Sequence, residues 1–154
     1  MIRYSIEDHG WGFPTKVLAG YGGGHQYNIK LTADTDQCTL VGRGDWLALD
    51  LYEQASSVPT FAGVIREKAA NGNWYIEVTA ATEALFVYDA PVIAEDYNNE
   101  FAKVSHFFNE EGKTVRAYSL AKGDIIEVSP NLFTGTPTAG KNVSFASGKY
   151  AVAS

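Results

Sequence analysis

Short runs of alternating apolar and polar residues, separated by turns that contain glycine, recur along most of this 154-residue chain. In the clearest run, Tyr27, Ile29 and Leu31 alternate with polar residues, as in a strand with one buried face. Asn71-Gly72 lies between two such runs and is a strong hairpin signal, because both residues tolerate the positive φ of a type I′ turn. This pattern predicts a mainly β protein.

Ten strands are predicted from the alternation and from the turn residues. They cover residues 27–32, 38–41, 46–52, 61–67, 74–79, 84–88, 114–120, 125–128, 142–145 and 150–153. Aromatic residues make up 13% of the chain and glycine contributes 15 residues, a composition that favours strands and turns over helices. We therefore predict an antiparallel β-barrel or sandwich. Its core is predicted to contain Trp46, Trp74, Ile76, Val78, Ile125, Val128 and Val152.

One stretch, residues 94–111, has a helical rather than a strand pattern. Its large apolar residues recur at i, i+4, i+7 and i+11, which places them on one stripe of a helix. These residues are Tyr97, Phe101, Val104 and Phe108. The sequence therefore predicts at most one short helix, around residues 95–108.

The chain divides into four segments on the same grounds. Residues 1–26 are predicted to be an irregular N-terminal arm or loop, with one short strand near 16–19. Residues 27–92 form a β module, 93–112 connect, and 113–154 form a second β module. In each module a Gly-Asp pair, Gly44-Asp45 or Gly123-Asp124, opens a strand that is followed by a proline-containing loop and two more strands. The repeat predicts two three-stranded modules that bury their apolar faces against each other.

Charge and cysteine content exclude several classes of function. The net charge is −6, and the basic residues are scattered, whereas binding to phosphate backbones needs clustered Lys and Arg. No apolar stretch approaches the ~20 residues that span a bilayer, and residues 1–10 lack the apolar segment of a signal peptide. The single cysteine, Cys38, excludes an internal disulfide and is expected in the core. We expect neither nucleic acid nor membrane as a partner.

Two short motifs are better explained by turn chemistry than by function. Arg43-Gly44-Asp45 matches the integrin tripeptide, but a turn before a strand favours both Gly and Asp. The glycine run at 20–24 lacks the helix and the Lys-Ser/Thr pair of a phosphate-binding loop. His9, His25 and His106 have no metal-ligand spacing, so we expect no metal, no cofactor and no catalytic residue.

Three aromatic residues lie among glycines in the irregular N-terminal segment, and they are the candidate partner-contact residues. They are Trp11, Phe13 and Tyr21. Aromatic anchors carry much of the energy of protein–protein contacts. The alternative is that this segment folds back over the protein's own barrel, and the sequence leaves both readings open.

Several stretches resemble small structural proteins of tailed phages. They are Gly42-Arg43-Gly44-Asp45-Trp46, residues 70–78, residues 84–88 and, towards the C-terminus, residues 115–125, 135–137 and 140–141. The resemblance covers roughly residues 40–154 and rests on turn-and-strand patterns, with no catalytic signature. It implies a β-rich capsid accessory protein that decorates, cements or stabilises the phage head.

The resemblance implies a non-enzymatic virion structural protein, and the acidic, β-rich composition is compatible with that role. Its partner would be the major capsid protein, and it would be a homo-oligomer or occupy the capsid surface in many copies after synthesis in the host cytoplasm. The alternative is a fibre- or spike-like β module that binds carbohydrate or a host receptor. That alternative predicts exposed Trp and Tyr beside acids and amides in a groove. A small hydrolase would instead need a cleft that holds a histidine and a carboxylate partner.

Overall fold

The computed structural model describes residues 2–4, 7–18, 26–49, 52–58, 60–89 and 107–153. Fifteen strands lie in these ranges, together with one 3₁₀ turn, Pro130–Leu132. The strands are β1 Ile2–Tyr4, β2 Gly12–Lys16, β3 Gln26–Lys30, β4 Thr35–Asp36, β5 Leu40–Leu47, β6 Tyr52–Ser56, β7 Thr60–Lys68, β8 Trp74–Thr82, β9 Leu85–Val87, β10 Phe107–Asn109, β11 Thr114–Ser119, β12 Ile125–Val128, β13 Phe133–Thr134, β14 Asn142–Ala146 and β15 Lys149–Val152. The predicted mainly β fold class is confirmed.

Five of the strands close into a small barrel in the order β11-β3-β6-β5-β9, with β9 returning to β11. All neighbours are antiparallel except β3 and β6, which run parallel. Closure removes sheet edges, which would otherwise expose unpaired backbone groups. The interior is filled by small and β-branched residues with Leu. They are Ile29, Leu31, Val41, Leu85, Val87, Val115 and Ala117.

A seven-stranded sheet, in the order β13-β15-β14-β7-β8-β12-β2, packs beside this barrel. The core between them takes Ile76 and Val128 from the sheet and Leu40 and Phe86 from barrel strands. Because side chains alternate along a strand, Leu85 and Val87 of β9 fill the barrel while Phe86 faces the sheet. All three side chains are fully buried.

Tyr150 is the largest fully buried side chain of this second core. Its ring is 5.2 to 6.0 Å from the rings of Phe61, Phe133 and Phe145. Its hydroxyl donates a hydrogen bond of 2.7 Å to the carbonyl of Cys38, just before barrel strand β5. Buried phenols need such a partner, and this bond ties the C-terminal hairpin to the barrel side.

A third, three-stranded sheet, β1-β10-β4, corrects the helix prediction at its C-terminal end. Phe108 pairs with Asp36 in a strand register instead of lying on a helix. Buried Asn109 donates from its side-chain amide to Gln37 Oε1, 3.1 Å away, which favours the extended backbone. The rest of the predicted helix, with Tyr97, Phe101 and Val104, lies outside the described residues.

The predicted segment boundaries do not follow the sheets. Strands from residues 27–92 and from 113–154 pair directly, β8 with β12, β7 with β14 and β3 with β11. Part of the N-terminal 1–26 segment is also a sheet strand, since β2 pairs with β12. The strand expected near 16–19 is therefore placed earlier, at Gly12–Lys16. The connecting 93–112 segment contributes β10.

The predicted hairpin at Asn71-Gly72 occurs, although its turn type differs from the predicted type I′. At Asn71-Gly72 only the glycine has a positive φ, 93°, and the Gly72 amide bonds back to Ala69 in a three-residue loop. The two-residue turn with both φ values positive is Ser147-Gly148, at 52° and 78°. That turn has the type I′ pattern expected between β14 and β15.

Three of the seven predicted core residues are confirmed as buried, three are only half-buried, and one is wrong. Ile76, Val78 and Val128 are fully buried, while the side chains of Trp74, Ile125 and Val152 are half-buried. Trp46, in contrast, is 59% exposed. At Trp46, β5 bonds to β6 on one side and to no described strand on the other, because β9 pairs only with Leu40 and Val41.

Candidate partner-binding surface

β2, at the edge of the seven-stranded sheet, contains one of the three predicted contact residues, Phe13, and Trp11 directly precedes it. The backbone N–H of Trp11 donates to Ser129 Oγ at 3.0 Å, and the Ser129 N–H donates back to the Trp11 carbonyl at 2.8 Å. Val17 is 3% exposed. The Leu18 amide, one residue later, bonds to Asp124 Oδ1. Residues 11–18 are therefore part of the folded body, not a loose arm.

Gly12 shows how closely β2 approaches its neighbour. Its φ is +156°, and a Cβ added there would lie 1.9 Å from the backbone oxygen of Glu127. Such a distance requires the absence of a side chain. The glycines of this segment predict an irregular backbone. Gly12 instead permits two strands to pack closely.

Three aromatic rings form a continuous row, which we call the aromatic row. They belong to Trp11, just before β2, to Phe13 in β2 and to Tyr88, just after β9. Trp11 meets Phe13 edge-to-face at 6.1 Å, and Phe13 meets Tyr88 at 6.1 Å. Phe13 is 36% exposed, and Leu18, just beyond β2, is 63% exposed. The segment therefore packs on the protein's own body, and the partner contact stays a prediction for the apolar area that Phe13 and Leu18 present to solvent. Tyr21 lies outside the described residues.

β2 is the last strand of the seven-stranded sheet, and it pairs with β12 alone among the described strands. Pro14 lies in its middle and lacks an N–H, a common feature of edge strands because it discourages uncontrolled strand addition. A partner at this edge would therefore contact side chains more than backbone. Phe13 is the aromatic side chain that β2 offers for such a contact.

A second exposed apolar feature is the tip of the β5–β6 hairpin, where Trp46 and Leu49 lie. Leu49 is fully exposed and Trp46 is 59% exposed. Single exposed apolar residues are ordinary. Here a tryptophan and a leucine lie three residues apart on one hairpin, and both present apolar area to solvent. The near-continuous apolar run at residues 46–52 is typical of a buried strand, so these exposed side chains have no distinct signal in the sequence.

At the base of this hairpin, Arg43 is engaged with its own protein. Its guanidinium donates to both carboxylate oxygens of Glu53, at 2.6 and 2.8 Å, and lies 4.7 Å from the centre of the Tyr27 ring. The hydrogen bonds from Arg43 lower the pKa of Glu53 below its ordinary value. This pairing gives Arg43 of the Arg43-Gly44-Asp45 motif a structural role, although the motif does not form the predicted turn.

The two Gly-Asp pairs of the predicted repeat have different environments. Gly123 has a φ of +96° in a turn, and buried Asp124 accepts hydrogen bonds from the Ala121 and Leu18 amides. Gly44 and exposed Asp45 lie inside strand β5. Only the second pair therefore plays the predicted turn role.

A polar hollow of about 320 Å³ lies beside the aromatic row, on the outer wall of the barrel. Tyr88 belongs to both features. The polar side chains of the hollow are those of Asn28, Tyr88, Asp89, Thr114, Arg116 and Tyr118. The sequence analysis did not find it, because its residues come from three separated stretches. The alternation along 114–118 was the one available signal, since it places Arg116 and Tyr118 on the outer face.

The residues with catalytic or metal-binding chemistry are mostly used for structure. Cys38 is fully buried, and burial, followed by the charge of Glu127, raises the pKa of its thiol. His9 Nδ1 lies 2.8 Å from Asp36 Oδ1, and its ring stacks on Phe108 at 4.8 Å. His25 and His106 lie outside the described residues. In the described ranges, no three His, Cys, Asp or Glu side chains are grouped so that they could hold a metal ion.

In the same described ranges, no helix has the length and apolar character needed to cross a bilayer. Comparisons with protein-family models, with curated proteins and with solved structures found no match to this chain.

Proposed function

We propose that this protein is a non-enzymatic structural subunit of a virion, which binds the shell of the major capsid protein as a decoration, cement or head-stabilising subunit. The resemblance of its turn-and-strand patterns to tailed-phage structural proteins supplies the partner. The chain is made in the host cytoplasm and binds to the shell there. Many copies of the chain occupy the capsid surface.

The observation that carries the proposal is the aromatic row on a firmly held edge strand. Phe13 is exposed, and the hydrogen bonds between Trp11 and Ser129 fix the backbone beside it. An anchor that is already ordered loses little conformational entropy when it binds. A side chain of this kind suits a long-lived contact with a shell, where repeated copies add avidity.

The proposal is tested by sedimentation of the purified protein with shells assembled from the capsid protein of the parent virus. Phe13→Thr removes the ring but keeps a residue that favours strands, and we expect its affinity for shells to fall at least about tenfold. Thr15→Ala, also exposed on β2, is the matched control and should bind like the wild type. Equal binding by all three proteins would contradict the assignment of this edge.

Truncation is a poor substitute for this experiment. Deleting residues 1–24 would remove β2 and buried Val17 together with the exposed ring. A loss of binding would then reflect a damaged core as much as a lost contact.

A second candidate function, a fibre- or spike-like module that binds carbohydrate or a host receptor, is favoured by two specific observations. Trp46 faces solvent, as that candidate requires. Tyr88 and Tyr118 line one hollow together with Asn28 and Asp89. Aromatic, amide and acidic groups therefore lie in one place, as this candidate function predicts. Binding of the protein to a panel of immobilised glycans tests the carbohydrate-binding form of this candidate, and absence of binding to every glycan would remove that form.

A further inference from the structure

The hollow on the barrel wall is built from outward-facing residues of adjacent strands. Along β11, Val115 and Ala117 are buried in the barrel, so Arg116 between them faces outward. Asn28 of β3 stands directly opposite Arg116 in the antiparallel register. The Tyr88 amide bonds to the Arg116 carbonyl at 3.1 Å, which brings the end of β9 to the same place. The hollow therefore has a rigid floor of paired backbone.

Among the described residues that line the hollow, Arg116 is the one with a cationic side chain. Its side chain is exposed, and no carboxylate of the described residues forms an ion pair with it. By comparison, Arg43 and Arg66 are both paired with glutamates. A ligand that covers a guanidinium must supply a charged or strongly accepting group, because an unpaired buried charge costs free energy.

The remaining groups of the hollow suit hydroxyl-rich ligands. Asn28 offers a side-chain amide, which can both donate to and accept from hydroxyl groups. Burial, followed by the nearby Cys38 and Tyr118, raises the pKa of Tyr88, so its phenol stays protonated and can both donate and accept. Aromatic rings also present the apolar surface against which a sugar ring packs. A volume of about 320 Å³ is at the lower end of small-molecule sites.

We propose that this hollow binds a saccharide residue that carries a carboxylate, such as a terminal uronic acid. The carboxylate lies on Arg116 as a two-oxygen pair, a hydroxyl lies towards Asn28, and the ring lies against Tyr88 and Tyr118. This inference rests on the second candidate function and names its site and ligand class. It is independent of shell binding through Phe13.

The test is a titration of the full chain with glucuronic acid, followed by amide chemical shifts in NMR spectra. Glucose is the matched neutral ligand, since it differs at one carbon, and inorganic phosphate is the matched anion. Two charge-removing variants are compared: Arg116→Gln in the hollow and Lys122→Gln on the exposed turn between β11 and β12. Circular dichroism of both variants checks that the fold is kept.

We expect glucuronic acid to shift the amides of β11 and β3, and to bind at least about tenfold more tightly than glucose or phosphate. Loss of a charge-assisted pair should weaken binding to Arg116→Gln about tenfold or more, whereas Lys122→Gln should bind like the wild type. Equal affinity for phosphate would show a simple anion site, and equal affinity of both variants would place the ligand elsewhere. Either result overturns the inference.

The glycan panel, repeated with Arg116→Gln and with Trp46→Thr, separates this inference from the function on which it rests. Glycan binding that survives Arg116→Gln and is lost in Trp46→Thr would keep the second candidate function and move the site to the β5–β6 hairpin. Absence of binding to glucuronic acid and to every immobilised glycan would remove both this inference and the carbohydrate-binding form of that candidate.

Discussion

Arg43 illustrates how far a short motif can mislead at the scale of single residues. The tripeptide at 43–45 suggests either adhesion or a turn, yet the chain continues through it as strand β5, with a register shift between Arg43 and Trp46. In this register the Arg43 guanidinium lies above the Tyr27 ring and donates hydrogen bonds to the Glu53 carboxylate. Sequence spacing cannot reveal such a bulge, because it depends on the partner strand.

The Arg43–Glu53 pair predicts a specific pH dependence of stability. The pair lowers the folded-state pKa of Glu53 from about 4.5, so its contribution is present above that pH and is lost as the pH falls through the lowered value. Arg43 is 39% exposed, so the contribution is at most about 1 kcal/mol. We expect Glu53→Gln to lower the melting temperature slightly at pH 6, by a difference that shrinks as the pH falls towards 3.

A double-mutant cycle with Arg43→Met isolates the pair. In the Arg43→Met background, adding Glu53→Gln should leave the melting temperature unchanged across the same pH range. A difference between wild type and Glu53→Gln that stays constant from pH 6 to pH 3 would refute this account.

At the scale of elements, the sequence predicted strands well where polar and apolar residues alternate. Ile125–Val128 occurs as predicted, and the predicted hairpin at 71–72 joins β7 to β8. Errors arose where a local pattern fits two structures. The run at 46–52 is interrupted by a turn at 48–49, and Phe108 of the helical stripe lies in β10. In both places, the partner strands decide the outcome.

The attachment of β2 makes Gly12→Ala the sharpest test at this scale. The added Cβ would meet the Glu127 carbonyl at 1.9 Å, so β2 must shift from β12, and we expect a loss of about 2 kcal/mol or more in the free energy of unfolding. Urea unfolding measures it. Gly112→Ala is the matched control, because its φ is also positive, +79°, but nothing lies within 4 Å.

The control variant should lose only the backbone strain of a left-handed residue, about 1 kcal/mol. Equal losses for the two variants would show that β2 does not pack against β12 as described.

At the scale of the whole molecule, the barrel and the seven-stranded sheet share a wall. β9 contributes Leu85 and Val87 to the barrel core and Phe86 to the core beside it. The sequence predicted the β class from turn and strand patterns, but not this sharing, because long-range pairings leave no local signal. The candidate surfaces were predicted only where an aromatic stood apart from a strand pattern, as with Trp11 and Phe13.

The shared wall predicts that the two cores unfold together. Phe86→Ala should reduce the free energy of unfolding by about 3–5 kcal/mol. Amide exchange should accelerate by similar factors at Ile29 in the barrel and Ile76 in the sheet, although Phe86 faces only the second core. Faster exchange at Ile76 with unchanged exchange at Ile29 would show two independent units.

We propose that this β protein works as a fixed subunit of a viral shell. Cryo-electron imaging of purified particles, combined with quantitative mass spectrometry, tests it most directly. We expect the chain at a constant ratio to the major capsid protein, with its density at regular shell positions and the β2 edge towards the shell. Particles that are purified intact and contain no copies of the chain would contradict the claim.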